Sequence, residues 1–113
     1  MIKKATDIFI ADSSVEWDQI DPLVKRKIMS YDENLMLVKV EFQKGGVGPI
    51  HEHFHSQTSY VESGSFDVTI DNQTKNLKAG DVFYIPPHVP HGAVCLETGV
   101  LLDFFSPMRE DFL

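Results

Sequence analysis

The sequence predicts an all-β, single-domain protein, built as a β-sandwich or a small barrel. Apolar and polar residues alternate with a period of two in several short segments, which is the pattern of half-buried strands. Turn-forming residues separate these segments at roughly ten-residue intervals, as is typical of antiparallel sandwiches and barrels. The chain has 113 residues, which fits one domain because single domains most often span about 100–150 residues.

The first part of the chain is the least regular. We expect residues 1–24 to form a lead-in to the domain, in which "DIFIA" (7–11) is a candidate edge strand. The segment "SSVEWDQID" (13–21) fits either a turn of helix or an irregular stretch. Residues 25–113 then form the barrel, without an internal repeat or a linker.

Two barrel segments alternate cleanly, and two others are more apolar. In "LMLVKVEF" (35–42) apolar residues at the even positions alternate with Lys39 and Glu41, and in "SFDVTI" (65–70) they alternate with Ser65, Asp67 and Thr69. "DVFYI" (81–85) and "VLLDFF" (100–105) are shorter and more continuously apolar, which predicts strands that are covered on both faces. Turn sequences such as "KGGVGP", "DNQT" and "KAGD" lie between the segments.

Charge and composition narrow the classes of function. The chain carries 17 acidic and 10 basic residues, and its net charge of -7 argues against binding to a nucleic-acid backbone. A small anionic substrate is still allowed, because a site can be locally positive in an acidic protein. The single cysteine, Cys95, cannot form an internal disulfide and fits a reducing compartment. The start of the chain is too polar for a signal peptide or a membrane span, so we expect a cytoplasmic protein.

The segment "PIHEHFHSQTSYVESG" (49–64) holds three of the five histidines. On a strand, His51 and His53 would project from the same face and could aim two imidazoles at one metal ion. Two histidines do not complete a metal site, so Gln57 and His91 are candidates for further ligands brought in by strand pairing. The alternative is a solvated loop that is rich in histidine.

Two motifs in the chain resemble those of the cupin family. The first extends from Gly45 to Gly64 and contains His-x-His followed by an amide. The second begins at Gly80 in "GDVFYIPPHVPHGAVC" and contains His91. The resemblance implies a jelly-roll barrel, the cupin double-stranded β-helix, with one divalent metal ion inside.

The resemblance also implies the ligands by position, namely His51, His53, Gln57 and His91. The metal is open among Zn, Ni, Mn, Fe and Co, because ligand softness and geometry permit all of them. Many oxygen-using cupins carry glutamate at the position of Gln57. An amide oxygen is neutral and only accepts hydrogen bonds, so the ion keeps its full charge as a Lewis acid. This composition disfavours dioxygen chemistry.

Three further residues have simpler interpretations. His55 lies beyond the straight part of the strand and is interpreted as a neighbour of the ligands. His88 stands where the family usually has glycine, and we expect it at the mouth or the surface. Cys95 stands where the family often has asparagine, and it is most simply a small buried group.

Asp103 is the one acidic residue in an otherwise apolar predicted strand. Burial raises the pKa of a carboxyl group and a nearby bound cation lowers it, so the direction stays open from sequence. A lone acid in this setting is a candidate general acid or base. The alternative is a structural role, in which Asp103 pairs with Arg109 or accepts backbone amides at the barrel rim.

A closer resemblance covers residues 25–113. The histidine motif, the second motif and the ending "LDFFSPMREDFL" look like the small cupins of pectin and alginate breakdown, which convert 4,5-unsaturated monouronates to linear keto sugars. This resemblance implies that Asp103 moves the proton and that Phe105 packs on the sugar. Arg109 is a candidate partner for a substrate carboxylate, with a structural ion pair as its alternative. Tyr60 is a candidate pocket residue or a plain strand aromatic.

We therefore expect a metal-dependent enzyme that ketonises an unsaturated uronate or a related sugar acid. One alternative is a cupin module that binds a small molecule without turnover, and another is an oxygen-dependent enzyme. The expected partner is a small sugar acid, with no nucleic acid and no membrane. We also expect a homodimer, because a small open barrel leaves sheet edges to cover, with "DIFIA" as the strand that crosses between subunits.

Overall fold

The computed structural model of the chain describes residues 4–113, and the regular secondary structure in that range consists of strands and two short 3-10 turns. In chain order the strands are β1 (Asp18–Asp21), β2 (Val24–Asp32), β3 (Leu35–Phe42), β4 (Val47–His51), β5 (Ser56–Ile70), β6 (Gln73–Lys78), β7 (Val82–Ile85) and β8 (His91–Ser106). Short 3-10 turns lie at Asp12–Ser14 and Glu110–Phe112. Within residues 4–113 no helix has the length and apolar character to cross a membrane. The first three residues of the predicted lead-in lie outside the described range.

The two long strands, β5 and β8, form the framework of the fold. They pair antiparallel along their length, from Ser56 opposite Ser106 to Ile70 opposite His91. Strands β3 and β7 flank one half of this pair, and β4 and β6 flank the other half. Strands β2 and β1 extend the sheet beyond β3. This arrangement confirms the predicted all-β jelly-roll barrel.

The framework strands bend where bulges interrupt their pairing. The register of β5 shifts between Val61 and Phe66. Gly64 adopts a φ of +84° in this stretch. Gly99 of β8 lies so close that a side chain there would overlap the carbonyl oxygen of Ser63. Because bulges bend strands, the two halves of the sheet wrap around a common core.

The core is formed by apolar residues from both halves of the sheet. The rings of Phe42 and Phe66 meet edge to face with centroids 5.3 Å apart. The predicted alternation of residues 35–42 is confirmed, because every second residue of β3 is buried. These residues are Met36, Val38, Val40 and Phe42.

The prediction that residues 81–85 and 100–105 are covered on both faces is wrong. The side chains of Val82, Tyr84 and Phe104 are 58%, 60% and 41% exposed. An antiparallel sheet needs cover on one face only, and the described chain has no helical layer to cover the outer face.

Residues 7–11, the candidate edge strand, form no strand within the single chain that the structure describes. Ile8 and Phe9 are 91% and 89% exposed, and the segment is irregular. The edge of the sheet is occupied instead by β1, which pairs with β2 through Asp18 opposite Arg26. Segment 13–21 thus combines the end of a 3-10 turn with an edge strand. The homodimer and the crossing of residues 7–11 between subunits stay predictions.

Candidate metal centre and its cavity

A cavity of about 340 Å³ opens inside the barrel. Its walls are largely apolar, and a small number of polar side chains line it. These are Asp21, Arg26, His51, Gln57, His91, Asp103 and Arg109. A concave apolar site with a few convergent polar groups is the usual form of a small-molecule site.

Strand pairing brings three imidazoles together beside this cavity. His51 is the last residue of β4 and lies opposite His91, the first residue of β8. His53 lies in the loop that follows β4. One ring nitrogen from each histidine lies within 4.8 Å of the other two. Three of the four predicted ligands are therefore gathered at one point.

Backbone carbonyl groups fix the tautomer of each of these histidines. Every Nδ1 lies within hydrogen-bond distance of a carbonyl oxygen. The pairs are His51 with Pro49 (2.8 Å), His53 with His55 (3.0 Å) and His91 with Val89 (2.9 Å). Because a carbonyl oxygen only accepts, Nδ1 carries the proton and Nε2 is left with its lone pair, as in metal-bound histidine.

Gln57 is oriented with its oxygen towards the imidazoles. Its Nε2 donates to Ser59 Oγ at 3.0 Å, which leaves Oε1 facing His53 Nε2 at 3.0 Å. Burial lowers the pKa of the His53 imidazole, so the ring is neutral and its one proton is already on Nδ1. Two acceptor atoms therefore face each other, an arrangement that a cation between them satisfies.

The donor set fits a divalent metal ion. The Nε2 atom of His53 and the Oε1 atom of Gln57, 3.0 Å apart, are close enough for one ion to contact both. The Nε2 atom of His91 is buried and has no hydrogen-bond partner among the described residues. Burial also lowers the pKa of the His91 imidazole to about 4, so this ring is in the neutral form that binds metals.

Asp103 lies on β8, directly opposite Ser59 of β5. Its Oδ1 accepts a hydrogen bond of 2.6 Å from Ser59 Oγ. Burial raises the pKa of the Asp103 carboxyl group to about 6, against the opposing effects of the Ser59 hydrogen bond and of Arg109. Asp103 faces the cavity, and the alternative ion pair with Arg109 does not form within residues 4–113, since Arg109 pairs with Asp111.

Phe105 and Arg109 also line the cavity. Phe105 is buried, and its ring meets that of His53 with centroids 5.8 Å apart. Arg109 is buried too, but its Nε and Nη2 donate to the two carboxylate oxygens of Asp111 at 3.0 and 2.8 Å. The structural alternative for Arg109 is thus realised, and its role as a substrate ligand stays a prediction.

The prediction that Tyr60 lines the pocket is wrong. Side chains alternate along β5, so Gln57 and Ser59 are buried while Tyr60 points to the outer face and is 40% exposed. Tyr60 lies opposite Leu102 and Val82 there. It is a strand aromatic on the outside of the barrel.

The structure also locates His55, His88 and Cys95. His55 is buried and stacks on Phe54 at 4.0 Å, outside the group of converging imidazoles. His88 is exposed and has a φ of +64°, a left-handed backbone conformation that favours glycine. Cys95 is buried in the core, and burial raises the pKa of its thiol.

Two site residues, Ser59 and Arg26, were missed in the sequence. Ser59 is two residues from Gln57 on the same strand face, a spacing that could have placed it in the cavity. Arg26 alternates with Val24 and Ile28 on the inner face of β2, so a charged residue on an apolar face was the available signal.

Comparisons with known proteins agree with this geometry. Residues 38–105 match the family model described as "Cupin domain". The pectin degradation protein KdgF of Dickeya dadantii (strain 3937) is 42% identical over 107 residues, covering 93% of this chain and 97% of that protein.

Solved structures give the same grouping. An RmlC-like cupin from Shewanella frigidimarina NCIMB 400 superposes with a TM-score of 0.96 at 45% identity, covering 98% of this chain and 100% of that one. KdgF from Halomonas sp. superposes with a TM-score of 0.91 at 39% identity, covering 96% and 100%. The chain therefore belongs to the cupin family, and within it to the group that includes the KdgF proteins.

Proposed function

We propose that the protein is a metal-dependent enzyme that converts a 4,5-unsaturated monouronate from pectin or alginate breakdown to a linear keto sugar. The observation that carries the proposal is Asp103, a carboxyl group with a raised pKa in the cavity beside the converging imidazoles. The names of the KdgF relatives, one of them a pectin degradation protein, support the substrate class.

The reaction is an isomerisation, so the substrate gains and loses no atoms overall. The hydroxyl group on the anomeric carbon loses its proton, and the bond from that carbon to the ring oxygen breaks to leave an aldehyde. The electron pair of that bond passes to the ring oxygen, which becomes an enol oxygen on carbon 5. Carbon 4 then takes up a proton, and carbon 5 becomes the ketone.

Asp103 is the group that moves the proton in this scheme. With a pKa of about 6, both its protonated and ionised forms are populated near neutral pH. A residue that accepts a proton in one step and gives it up in another needs both forms. Its contact with Ser59 holds the carboxyl group in one orientation within the cavity.

The remaining residues bind and orient. His51, His53, Gln57 and His91 would hold a divalent ion, which when bound supplies a Lewis acid that withdraws electron density from a substrate oxygen. Phe105 offers an apolar ring on which the sugar packs.

Two alternative functions are less well supported. A binding module without turnover does not need a carboxyl group for proton transfer, and this group destabilises the fold when it is ionised in the cavity. An oxygen-dependent enzyme is disfavoured by the neutral amide of Gln57.

The proposal is tested by incubating metal-loaded protein with 4,5-unsaturated galacturonate under nitrogen. We expect the ultraviolet absorbance of the conjugated enol ether to disappear faster than in buffer, and chelation of the metal to abolish the acceleration. Turnover that needs dioxygen would favour the oxygen-dependent alternative. The absence of any acceleration by metal-loaded protein would contradict the proposal.

A further inference from the structure

Arg26 presents an unpaired cation to the cavity. It lies on the inner face of β2, opposite Val40 of β3, and lines the cavity wall. Its Nε atom is buried and has no hydrogen-bond partner. Among the salt bridges of residues 4–113 none includes Arg26, although Asp18 is its cross-strand neighbour on β1. Arg26 is therefore a cavity-facing cation without a protein carboxylate.

Arg26 is half-buried, and the two fully buried cations, Lys27 and Arg109, are both neutralised by the fold. Lys27 forms an ion pair of 3.3 Å with Asp12. Arg109 has its planar fork occupied by both oxygens of Asp111. In both cases the chain itself supplies the carboxylate. Arg26 differs from Lys27 and Arg109 because it forms no such ion pair.

The C-terminal 3-10 turn holds the Arg26 guanidinium in place. Its Cζ lies 3.8 Å from the centre of the Phe112 ring, and Arg109 Cζ lies 4.2 Å from the centre of the same ring. An aromatic ring engages the flat face of a guanidinium and leaves its N–H edges free to donate. The stacked Arg26 side chain is thus preorganised to bind an anion edge-on.

A partly buried cation that lacks a hydrogen-bond partner at a buried atom destabilises the folded protein unless an anion binds it. Burial lowers the pKa of the Arg26 guanidinium and the charge of Arg109 adds to this effect, against the opposing charges of Asp18 and Asp111. A planar guanidinium matches a carboxylate with two parallel hydrogen bonds. An anionic ligand in the cavity would supply the missing partner.

We propose that Arg26 is the substrate-positioning residue that binds the carboxylate of a sugar acid in the cavity. This inference rests on the proposed function for its substrate, but it concerns the recognition of charge and not the chemical step. It makes the cavity selective for acids over neutral sugars of the same shape. It also assigns to Arg26 the role that the sequence suggested for Arg109.

The test is calorimetric titration of metal-loaded protein with D-galacturonate and, separately, with neutral D-galactose. The variants are Arg26→Gln, which removes the charge, and Arg26→Lys, which keeps the charge but loses the planar fork. Lys75→Gln is the matched control, because it removes one positive charge from an exposed residue of β6, away from this cavity. Thermal melting of each variant confirms that it is folded.

We expect the parent to bind galacturonate more tightly than galactose. Arg26→Gln should weaken binding of galacturonate about ten- to hundredfold and leave binding of galactose unchanged, since a hydrogen bond to a charged group is lost. Arg26→Lys should bind galacturonate with an affinity between those of the parent and of Arg26→Gln. If Arg26→Gln does not fold, the result for Arg26→Lys decides the outcome. Lys75→Gln should bind like the parent.

A parent without preference for the acid, or a preference that persists in Arg26→Gln and Arg26→Lys, would overturn the inference. Persistence would mean that the carboxylate goes to the metal or to another group. Failure of the proposed function looks different. In that case unsaturated galacturonate is not converted, while the Arg26-dependent preference for galacturonate remains.

Discussion

Ser59 Oγ donates a hydrogen bond of 2.6 Å to Asp103 Oδ1. The same hydroxyl group accepts a hydrogen bond of 3.0 Å from Gln57 Nε2. One serine therefore joins the amide of the candidate metal centre to the buried acid of the cavity. The hydroxyl has a single proton, so giving it to Asp103 leaves its oxygen free to fix the direction of the Gln57 amide.

Ser59→Ala should change the pH dependence of the reaction. The hydrogen bond from Ser59 lowers the pKa of Asp103, so its loss should raise that pKa further above its value of about 6. A hydrogen bond to a charged group contributes about 1.5–3 kcal/mol, so the limb of the kcat/KM profile that reports Asp103 should move up by about one pH unit or more. Metal affinity should also fall by about tenfold, because Gln57 loses an orienting partner.

Thr58→Ala is the control for this variant. Thr58 is the next residue of β5 but projects to the exposed outer face. Its loss should leave the pH profile in place. A Ser59→Ala profile that superposes on that of the parent would mean that the contact has no effect on the acid.

The Asp103→Asn variant should show whether Asp103 transfers a proton in the reaction or only stabilises the fold. Asparagine keeps an oxygen that accepts the Ser59 hydrogen bond but cannot exchange a proton as a carboxyl group does. We expect turnover of the unsaturated uronate to fall about 10²- to 10⁴-fold, with the metal content maintained and a melting temperature no lower than that of the parent. The measurement is rate and melting on one metal-loaded preparation. A variant that melts early yet turns over like the parent would assign Asp103 to the scaffold.

The stability of the metal-free protein should depend on pH through Asp103. Its pKa is raised from 3.8 to about 6 on folding, so the folded state binds this proton more tightly than the unfolded state. The resulting penalty is absent at pH values below 3.8, develops as the pH rises, and is complete above about 6. It amounts to about 3 kcal/mol. Asp103→Asn should therefore raise the free energy of unfolding at about pH 8 and change it little at about pH 4.

Urea denaturation of chelated parent and variant at the two pH values checks this difference. The other titrating groups are common to both proteins and cancel in the comparison. A stability difference of the same size at both pH values would show that the carboxyl group is not perturbed in the fold.

Removing one imidazole should empty the candidate metal centre. We expect about one equivalent of a divalent metal in protein purified without a polyhistidine tag, and His91→Ala should lose most of it. His88→Ala is the matched control, because its ring is exposed and lies outside the group of converging imidazoles. The measurement is elemental analysis of the parent, of His51→Ala, His53→Ala and His91→Ala, and of the His88→Ala control. Unchanged metal content in His51→Ala, His53→Ala and His91→Ala would remove the site.

The convergence of His51, His53 and His91 could be predicted from the sequence because each lies in a short motif. The spacing of His51, His53 and Gln57 and the position of His91 depend on short segments. The structure adds the carbonyl groups that fix the imidazole tautomers and the serine that orients the amide. These contacts depend on backbone geometry and on the register between β5 and β8, which residue patterns do not specify.

The errors have a common physical origin. The sequence left Tyr60 open as a pocket residue or a strand aromatic, because an aromatic residue on a strand points inward or outward according to its phase. Gln57, at the opposite phase, occupies the inner face. The apolar residues at 7–11 resemble a strand, yet a strand needs a partner edge, and β1 takes that edge beside β2. Phase and competition for edges are properties of the whole sheet.

Gly99→Ala should test how closely β5 and β8 approach at their bend. A Cβ at Gly99 would overlap the Ser63 carbonyl oxygen and lie 2.6 Å from the Gly64 Cα, and backbone atoms cannot move aside as a side chain does. We expect a loss of about 2–4 kcal/mol in the free energy of unfolding, as for other overpacked sites.

Gly80→Ala is the control, because that glycine has a φ of +95° but open space around its missing Cβ. It should lose only the conformational penalty of a left-handed backbone, about 1 kcal/mol. Urea denaturation of both variants beside the parent measures the difference. A Gly99→Ala variant no less stable than Gly80→Ala would mean that the two strands can separate at the bend at little cost. In that case the bulges alone, and not the close approach of Gly64 and Gly99, would account for the curvature that encloses the cavity.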